Sequence, residues 1–190
     1  MELLKERIRK DGIILPGDVL KLDSFLSHQI DVELISKCGE EWYKLFADEG
    51  ITKILTIEAS GIGISCLAAQ YFRVPVVFAK KRRSKGHGIG EHYTTVVSNT
   101  EGHAYDIVVA SKYITPNDRV LIIDDFLAGG SSLKALITIA EECGAKIVGA
   151  GVAVEKLSSG GGNALRKRGY RIESLAQIES ISVKDGIKFC

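Results

Sequence analysis

The sequence has no apolar run approaching the roughly 20 residues needed to cross a bilayer. Its opening, MELLKERIRKDG, is charged and helical in pattern rather than signal-like. Both features lead us to expect a soluble, cytoplasmic protein. Net charge is almost absent as well: 25 Lys and Arg face 24 Asp and Glu, leaving +1. With no global field to draw the chain to nucleic acid, any affinity for anions must come from a local site. Cys38, Cys66, Cys143 and Cys190 lie far apart, without a CxxC pair or histidines at zinc-finger spacing. A disulfide framework and a structural metal are therefore not expected, and Cys66 and Cys143, inside small apolar helical segments, are expected to be buried thiols. Three common motifs are missing too. There is no Walker lysine pattern, Glu58 stands where a GxSxG elbow around Ser60 needs glycine, and Cys66 fills the last glycine position of a dinucleotide fingerprint. Repeats, linkers and low-complexity tracts are lacking.

What remains is a 190-residue chain, 45% hydrophobic and 26% charged, enough for one domain with a proper core over 1–190. Hydrophobic spacing predicts helices over Glu2–Lys10 and Asp31–Glu49, the second stopped by Gly50, with a less regular stretch, LPGDVLKLDSFLSHQI, between them. Beyond Gly50, short β-branched runs alternate with small-residue helices. The runs are KILTI at Lys53–Ile57 and PVVFA at Pro75–Ala79, with a helix near Ile64–Phe72 between them. This is the pattern of βαβ units, hence an α/β fold with an open, mainly parallel twisted sheet flanked by helices. Tyr93–Val97 and Tyr105–Val109, joined by SNTEGHA, predict a β-hairpin excursion. The parallel pattern resumes with a strand over Arg119–Asp124, a helix over Ser131–Glu142 capped by Gly144, and the long buried strand IVGAGVAVE.

The stretch VLIIDDFLAGGSS, Val120–Ser132, carries the most chemistry. A buried strand ends in two carboxylates and runs through a small-residue loop into a helix. Gly129 and Gly130 allow close backbone approach, Ser131 and Ser132 supply hydroxyls, and the first helical amides are unpaired donors, so Ala128–Ser132 suits a phosphate monoester. Asp124 and Asp125 can accept hydrogen bonds from a ribose diol nearby. A second loop, EASGIGI, follows the KILTI strand into another helix N-terminus. Two anion cradles on neighbouring strand ends suit a ligand with phosphate at one end and diphosphate at the other. The loop KKRRSKGHGIGEH holds Lys80, Lys81, Arg82, Arg83 and Lys85, then glycines at 86, 88 and 90. Mobile cations on glycine hinges fit a lid over a departing diphosphate; a solvated basic turn is the plainer reading. KLSSGGGN, residues 156–163, is the other loop of unusual composition.

On these residues the chain resembles the type I phosphoribosyltransferase family. The family signature has apolar residues, two acids, three variable residues and a Thr/Ser-Gly-Gly-Thr/Ser loop. Here Gly129 replaces the usual hydroxyl residue and Ser131 the second glycine. The resemblance covers essentially the whole chain and extends, through LPGDVLKLDSFLSHQID and VAVEKLSSGG, most closely to bacterial xanthine-using members. It implies a small N-terminal hood of about residues 1–35 plus the C-terminal segment, over a core of about 36–180. It also implies a diphosphate loop of Ala59, Ser60, Gly61 and Gly63, and a catalytic loop in which Lys81 and Arg82 are favoured over His87. Leu20, Ser27 and Lys156 become purine contacts; a cationic donor suits xanthine, whose C2 and C6 both carry carbonyl oxygens. Mg²⁺ is expected to arrive with phosphoribosyl pyrophosphate, with no direct protein ligand. A homodimer is implied, with no nucleic-acid or membrane partner. Two alternatives stay open at this point. One is the same reaction on hypoxanthine, guanine or adenine; the other is a non-catalytic regulator that senses phosphoribosyl pyrophosphate.

Overall fold

The computed structural model describes residues 1–82, 90–97 and 104–190, excluding the side chains of residues 91, 93–97 and 104. The expected β-branched runs become strands of one sheet. The elements in chain order are α1 (Glu2–Asp11), β1 (Ile13–Leu15), β2 (Val19–Lys21), α2 (Val32–Phe46), β3 (Lys53–Ile57), α3 (Ser60–Phe72), β4 (Val76–Arg82), β5 (Glu91–Val97), β6 (Ala104–Ala110), β7 (Arg119–Leu127), α4 (Ser131–Glu142), β8 (Lys146–Lys156), α5 (Gly161–Lys167), β9 (Ile172–Ser182) and β10 (Gly186–Phe189). Among the described residues the main sheet runs β10-β9-β8-β7-β3-β4-β6-β5. Its centre, from β9 to β4, is parallel, and β10, β6 and β5 pair antiparallel at the margins.

Helices cover both faces because both faces of the central strands are apolar. On one side α1, α2 and α3 bury Leu4, Ile8, Trp42, Phe46 and Ile64 against Ile54, Leu121 and Ile123. On the other, α4 buries Leu133, Leu136, Ile137 and Ile139 against Leu55, Val120 and Ile122. Glycines in β8 let α2 come close. A Cβ on Gly151 would lie 2.8 Å from Trp42, and one on Gly149 would lie 2.9 Å from Phe46. The Asp31 side chain caps α2 by accepting from the Leu34 amide at 3.1 Å. Gly50, at φ +61°, ends the helical region, and Gly144 takes φ +75° just after α4.

Several boundaries differ from the sequence reading, each for a tertiary reason. Helix α3 begins at Ser60 rather than near Ile64, so most of EASGIGI is helix. Strand β4 runs past Ala79 to Arg82, because Lys80–Arg82 pair antiparallel with Val108–Asp106. Strand β7 continues to Leu127, where β8 supplies partners up to Glu155, so the acid pair lies within the strand rather than at its end. The irregular N-terminal stretch contains the β1–β2 hairpin and a π-helical turn over Asp23–Ser27. Cys66 is exposed rather than buried, because Ile64, Ser65, Ala68 and Ala69 occupy the inward side of α3. Strands β9 and β10 are additions to the elements expected from periodicity.

Candidate active site

The start of α3 and strand β4 both approach the acid pair on β7. Asp124, on β7, is 7% exposed. Its Oδ1 accepts the Asp125 amide at 3.1 Å. Burial, followed by the Asp125 charge, pushes the Asp124 carboxyl well above the usual carboxylate range, while the Lys81 ammonium pulls it down. Gly61, in the first turn of α3, is pressed against this region: a Cβ there would collide with Thr56 Oγ1 and lie 3.4 Å from Asp124 Oδ1. Only glycine admits that approach.

Of the other residues read as a diphosphate loop, Ala59 precedes α3 as its N-cap and Ser60 is its first residue; neither makes a side-chain cap bond. The Glu58–Ala59 peptide is cis. A Cβ on Gly63 would strike Ile30 Cδ1, which makes Gly63 a packing contact to the segment after Ser27. Glu58, unmarked in the sequence reading, accepts the Lys81 amide at 2.6 Å and so ties the start of this turn to β4. Lys81 and Arg82 sit on strand β4, not in a loop. Lys81 holds its Nζ 5.9 Å from the Tyr105 ring centroid, and Arg82 pairs with Asp106 in the sheet register. Arg83, Lys85, Gly86, His87 and Gly88, and the expected turn at Ser98–His103, lie outside the described residues.

The phosphate-type loop follows β7 directly. Ala128 and Gly129 bend the chain, and Gly130 takes φ +79°, a left-handed value that favours glycine, as the N-cap of α4. Ser131 and Ser132 open α4, and its Lys134 amide returns to the Gly130 carbonyl at 2.9 Å. The first-turn amides of α4, a few residues along the chain from the acid pair, can hold an anion by hydrogen bonds and helix dipole together.

A third group lies at the end of β8. Lys156 Nζ donates to the Asp18 carbonyl at 2.8 Å, reaching the β1–β2 turn. Leu20 is half-buried on β2, near Gly12. Ser27 is exposed and donates to Asp23 at 3.3 Å. The structure therefore brings Lys156 to the hood hairpin, but gives Ser27 only a local partner. A separate cavity of about 660 Å³ lies on β4 and β6, lined by Val76, Phe78, Lys80, Arg82, Val108 and Tyr113 among others. Of the residues expected to act on substrate, it contains only Arg82.

The arrangement matches a known class. A family model described as "Phosphoribosyl transferase domain" matches residues 25–180. The chain belongs to the phosphoribosyltransferase family. Within it, xanthine phosphoribosyltransferase of Lachnoclostridium phytofermentans is 53% identical over 186 residues, covering 98% of this chain and 96% of that protein. The xanthine phosphoribosyltransferase of Bifidobacterium longum subsp. infantis is 51% identical, over 98% of this chain and 97% of that one. Adenine phosphoribosyltransferase of Rhodothermus marinus shares the fold, with TM-score 0.73 at 22% identity, over 93% of this chain and 99% of that one.

Proposed function

We propose that the protein is a xanthine phosphoribosyltransferase of purine salvage. It joins xanthine to 5-phospho-α-D-ribose 1-diphosphate, giving xanthosine 5′-monophosphate and diphosphate. The single observation that carries the reading is about 50% identity, over nearly the whole chain, to several proteins of that name. In the reaction a bond forms between N9 of xanthine and C1 of the ribose, the bond from C1 to the diphosphate oxygen breaks, and the N9 proton is lost. No covalent enzyme intermediate is required.

The geometry supports definite roles. Ala128–Ser132 hold the 5-phosphate on the α4 N-terminus. Asp124 and Asp125 orient the ribose diol and stabilise positive charge developing on the sugar. Ala59–Gly61 and Lys81, beside the acid pair, contact the diphosphate, with Arg82 next to them. Gly63 supports that turn through Ile30 rather than by touching ligand. Lys156 meets the carbonyl edge of the purine, and the β1–β2 hairpin with Leu20 and Ser27 covers the base. Hood and core act as one unit.

Mg²⁺ arriving with phosphoribosyl pyrophosphate would offset negative charge on the leaving diphosphate. Among the described residues no group of three or more His, Cys, Asp and Glu could cage a metal. The Asp124–Asp125 pair is instead the nearby protein oxygen set, which fits a hard cation that takes most of its ligands from substrate and water. Among the described residues no helix is long and apolar enough to cross a membrane. The cytoplasm is the location that suits the reaction, because a sugar carrying both phosphate and diphosphate does not cross a bilayer unaided. The exposed rings of Phe78 and Tyr113 support self-association as a homodimer.

The deciding experiment is a turnover assay with Mg²⁺ and phosphoribosyl pyrophosphate, offering xanthine, guanine, hypoxanthine and adenine separately. Xanthine should react far faster than the others. Comparable rates with adenine would overturn the assigned substrate, and no turnover with any base would overturn the enzyme. Asp125→Asn should lower kcat on the order of a hundredfold or more; unchanged turnover at saturating substrate would remove that carboxylate from the mechanism.

A further inference from the structure

The glycine-rich segment after Lys156 is left unused by the roles above, yet it touches both ends of the proposed site. Glu155, the residue before Lys156, is 1% exposed. Its carboxylate accepts from Arg166 Nη1 and Nη2 at 2.7 Å each, from Ser174 Oγ at 2.5 Å and from Gln177 Nε2 at 3.3 Å. Arg166 also donates to the Ile172 carbonyl, so its fork bridges α5, β8 and β9. Burial alone would raise the Glu155 carboxyl, but the Arg166 fork and the two neutral donors outweigh it and hold it below the ordinary range. Such a satisfied, bidentate pair is stiff.

That stiffness is passed on through two glycines. A Cβ on Gly162 would collide with Glu155 Oε1 and lie 2.9 Å from Arg166 Nη1. The Gly161 amide donates to the Ala128 carbonyl at 3.1 Å. A Cβ on Gly161 would collide with that carbonyl and lie 2.5 Å from the Gly129 carbonyl carbon and 2.6 Å from the Gly130 nitrogen. The segment is therefore wedged between the buried Glu155 with its half-buried Arg166 partner and the loop proposed to hold the 5-phosphate. At its other end the same carboxylate is one peptide from Lys156, which reaches the Asp18 carbonyl in the hood.

We propose that Glu155, Arg166, Gly161 and Gly162 form a positioning unit that sets the distance between the 5-phosphate loop and the purine-contacting Lys156. None of the four touches substrate. Their effect is to keep sugar and base in attack geometry, where a displacement of about 1 Å can cost on the order of a hundredfold in rate. The inference rests on the site proposed above.

The experiment compares the wild-type protein with Gly161→Ala, Gly160→Ala and Glu155→Gln. Dissociation constants for Mg²⁺–phosphoribosyl pyrophosphate would be measured by calorimetry, kinetic constants for xanthine and guanine by turnover, and melting temperature alongside. Gly160 is the control: it adopts φ +75°, but a Cβ added there would have nothing within 4 Å, so its variant should lose stability without losing affinity. Gly161→Ala should weaken phosphoribosyl pyrophosphate at least tenfold, a loss of affinity that Gly160→Ala does not share although both variants melt below the wild-type protein. Glu155→Gln should raise the KM for xanthine and lower xanthine-over-guanine preference about tenfold. Arg166→Lys, which keeps the charge but not the fork, should behave in the same sense and serves if Glu155→Gln does not fold. If Gly161→Ala binds as the control does, and neither ion-pair variant alters purine preference, the unit is structural only and the inference falls. Should the wild-type protein bind phosphoribosyl pyrophosphate yet convert no purine, the reaction assigned above fails instead, while the two glycine variants still decide the link to the phosphate loop.

Discussion

Asp124 shows how a single residue of this site works against stability. A carboxyl whose folded pKa is raised costs nothing below its unfolded value of about 3.9, and its cost grows as pH rises through the folded value. At neutral pH this carboxyl therefore disfavours the folded state, through burial first and the Asp125 charge second. Asp124→Asn should raise the melting temperature at pH 7, at roughly 2–4 °C per kcal/mol for a chain of this size, while turnover falls. The gap between variant and wild type should close towards pH 4. A variant that melts lower than wild type at pH 7 would mean that the carboxylate is a structural asset, contrary to this account.

At the scale of elements, two junctions hold the scaffold around the site. Asp118 sits where the starts of β3 and β7 meet: its carboxylate accepts from Lys53 Nζ at 3.0 Å, from Thr52 Oγ1 at 3.0 Å, and from the Thr115 amide and hydroxyl at 2.8 and 2.9 Å. Burial would raise this carboxyl, but Lys53, Thr115 and Thr52 outweigh it and hold it low. For a depressed carboxylate the stabilisation is present above the unfolded value of about 3.9 and disappears as pH falls through the lower folded value. Asp118→Asn should thus cost about 2 kcal/mol in urea unfolding at pH 7 and far less near pH 3. An equal loss at both pH values would show that packing, not charge, is what the variant removes. The second junction is the start of α2, where Asp31 caps Leu34 and also accepts from Arg7 of α1 at 2.8 Å. Asp31→Ala should cost about 1–2 kcal/mol, and Asp31→Ser should recover the cap part of that loss but not the part due to Arg7.

For the molecule as a whole, the apolar side chains exposed on β4 and after β6 are the feature that bears on association. Phe78 is 41% and Tyr113 is 51% exposed beside the cavity on β4 and β6, an apolar surface of the kind that association covers. Light scattering should return twice the 20.6 kDa chain mass, and Phe78→Glu should shift it towards a single chain. A single-chain mass for the wild-type protein would overturn the proposed homodimer.

The sequence by itself determined the parallel strand-and-helix order, the hairpin, and the stretch from Asp124 to Ser132, because periodicity, turn residues and a strand–acid–glycine–helix pattern are all local. Gly129 and Gly130 read alike in the sequence, as close-approach glycines, and the fold is what sets Gly130 apart at φ +79°. What only the tertiary structure decided was which of these pieces meet. Lys80–Arg82 read as a loop because their strand partner, Asp106–Val108, is about 25 residues away. Gly61 and Gly63 looked equivalent, yet one abuts Thr56 and Asp124 while the other abuts Ile30, a difference set by the packing of α3. Glu155 ends the run IVGAGVAVE, which read only as a buried strand; its meaning depends on Arg166 in α5 and on Ser174 and Gln177 in β9. A buried charge is informative only through its partners, and these partners are brought to it by the sheet, across 11 to 22 residues of chain.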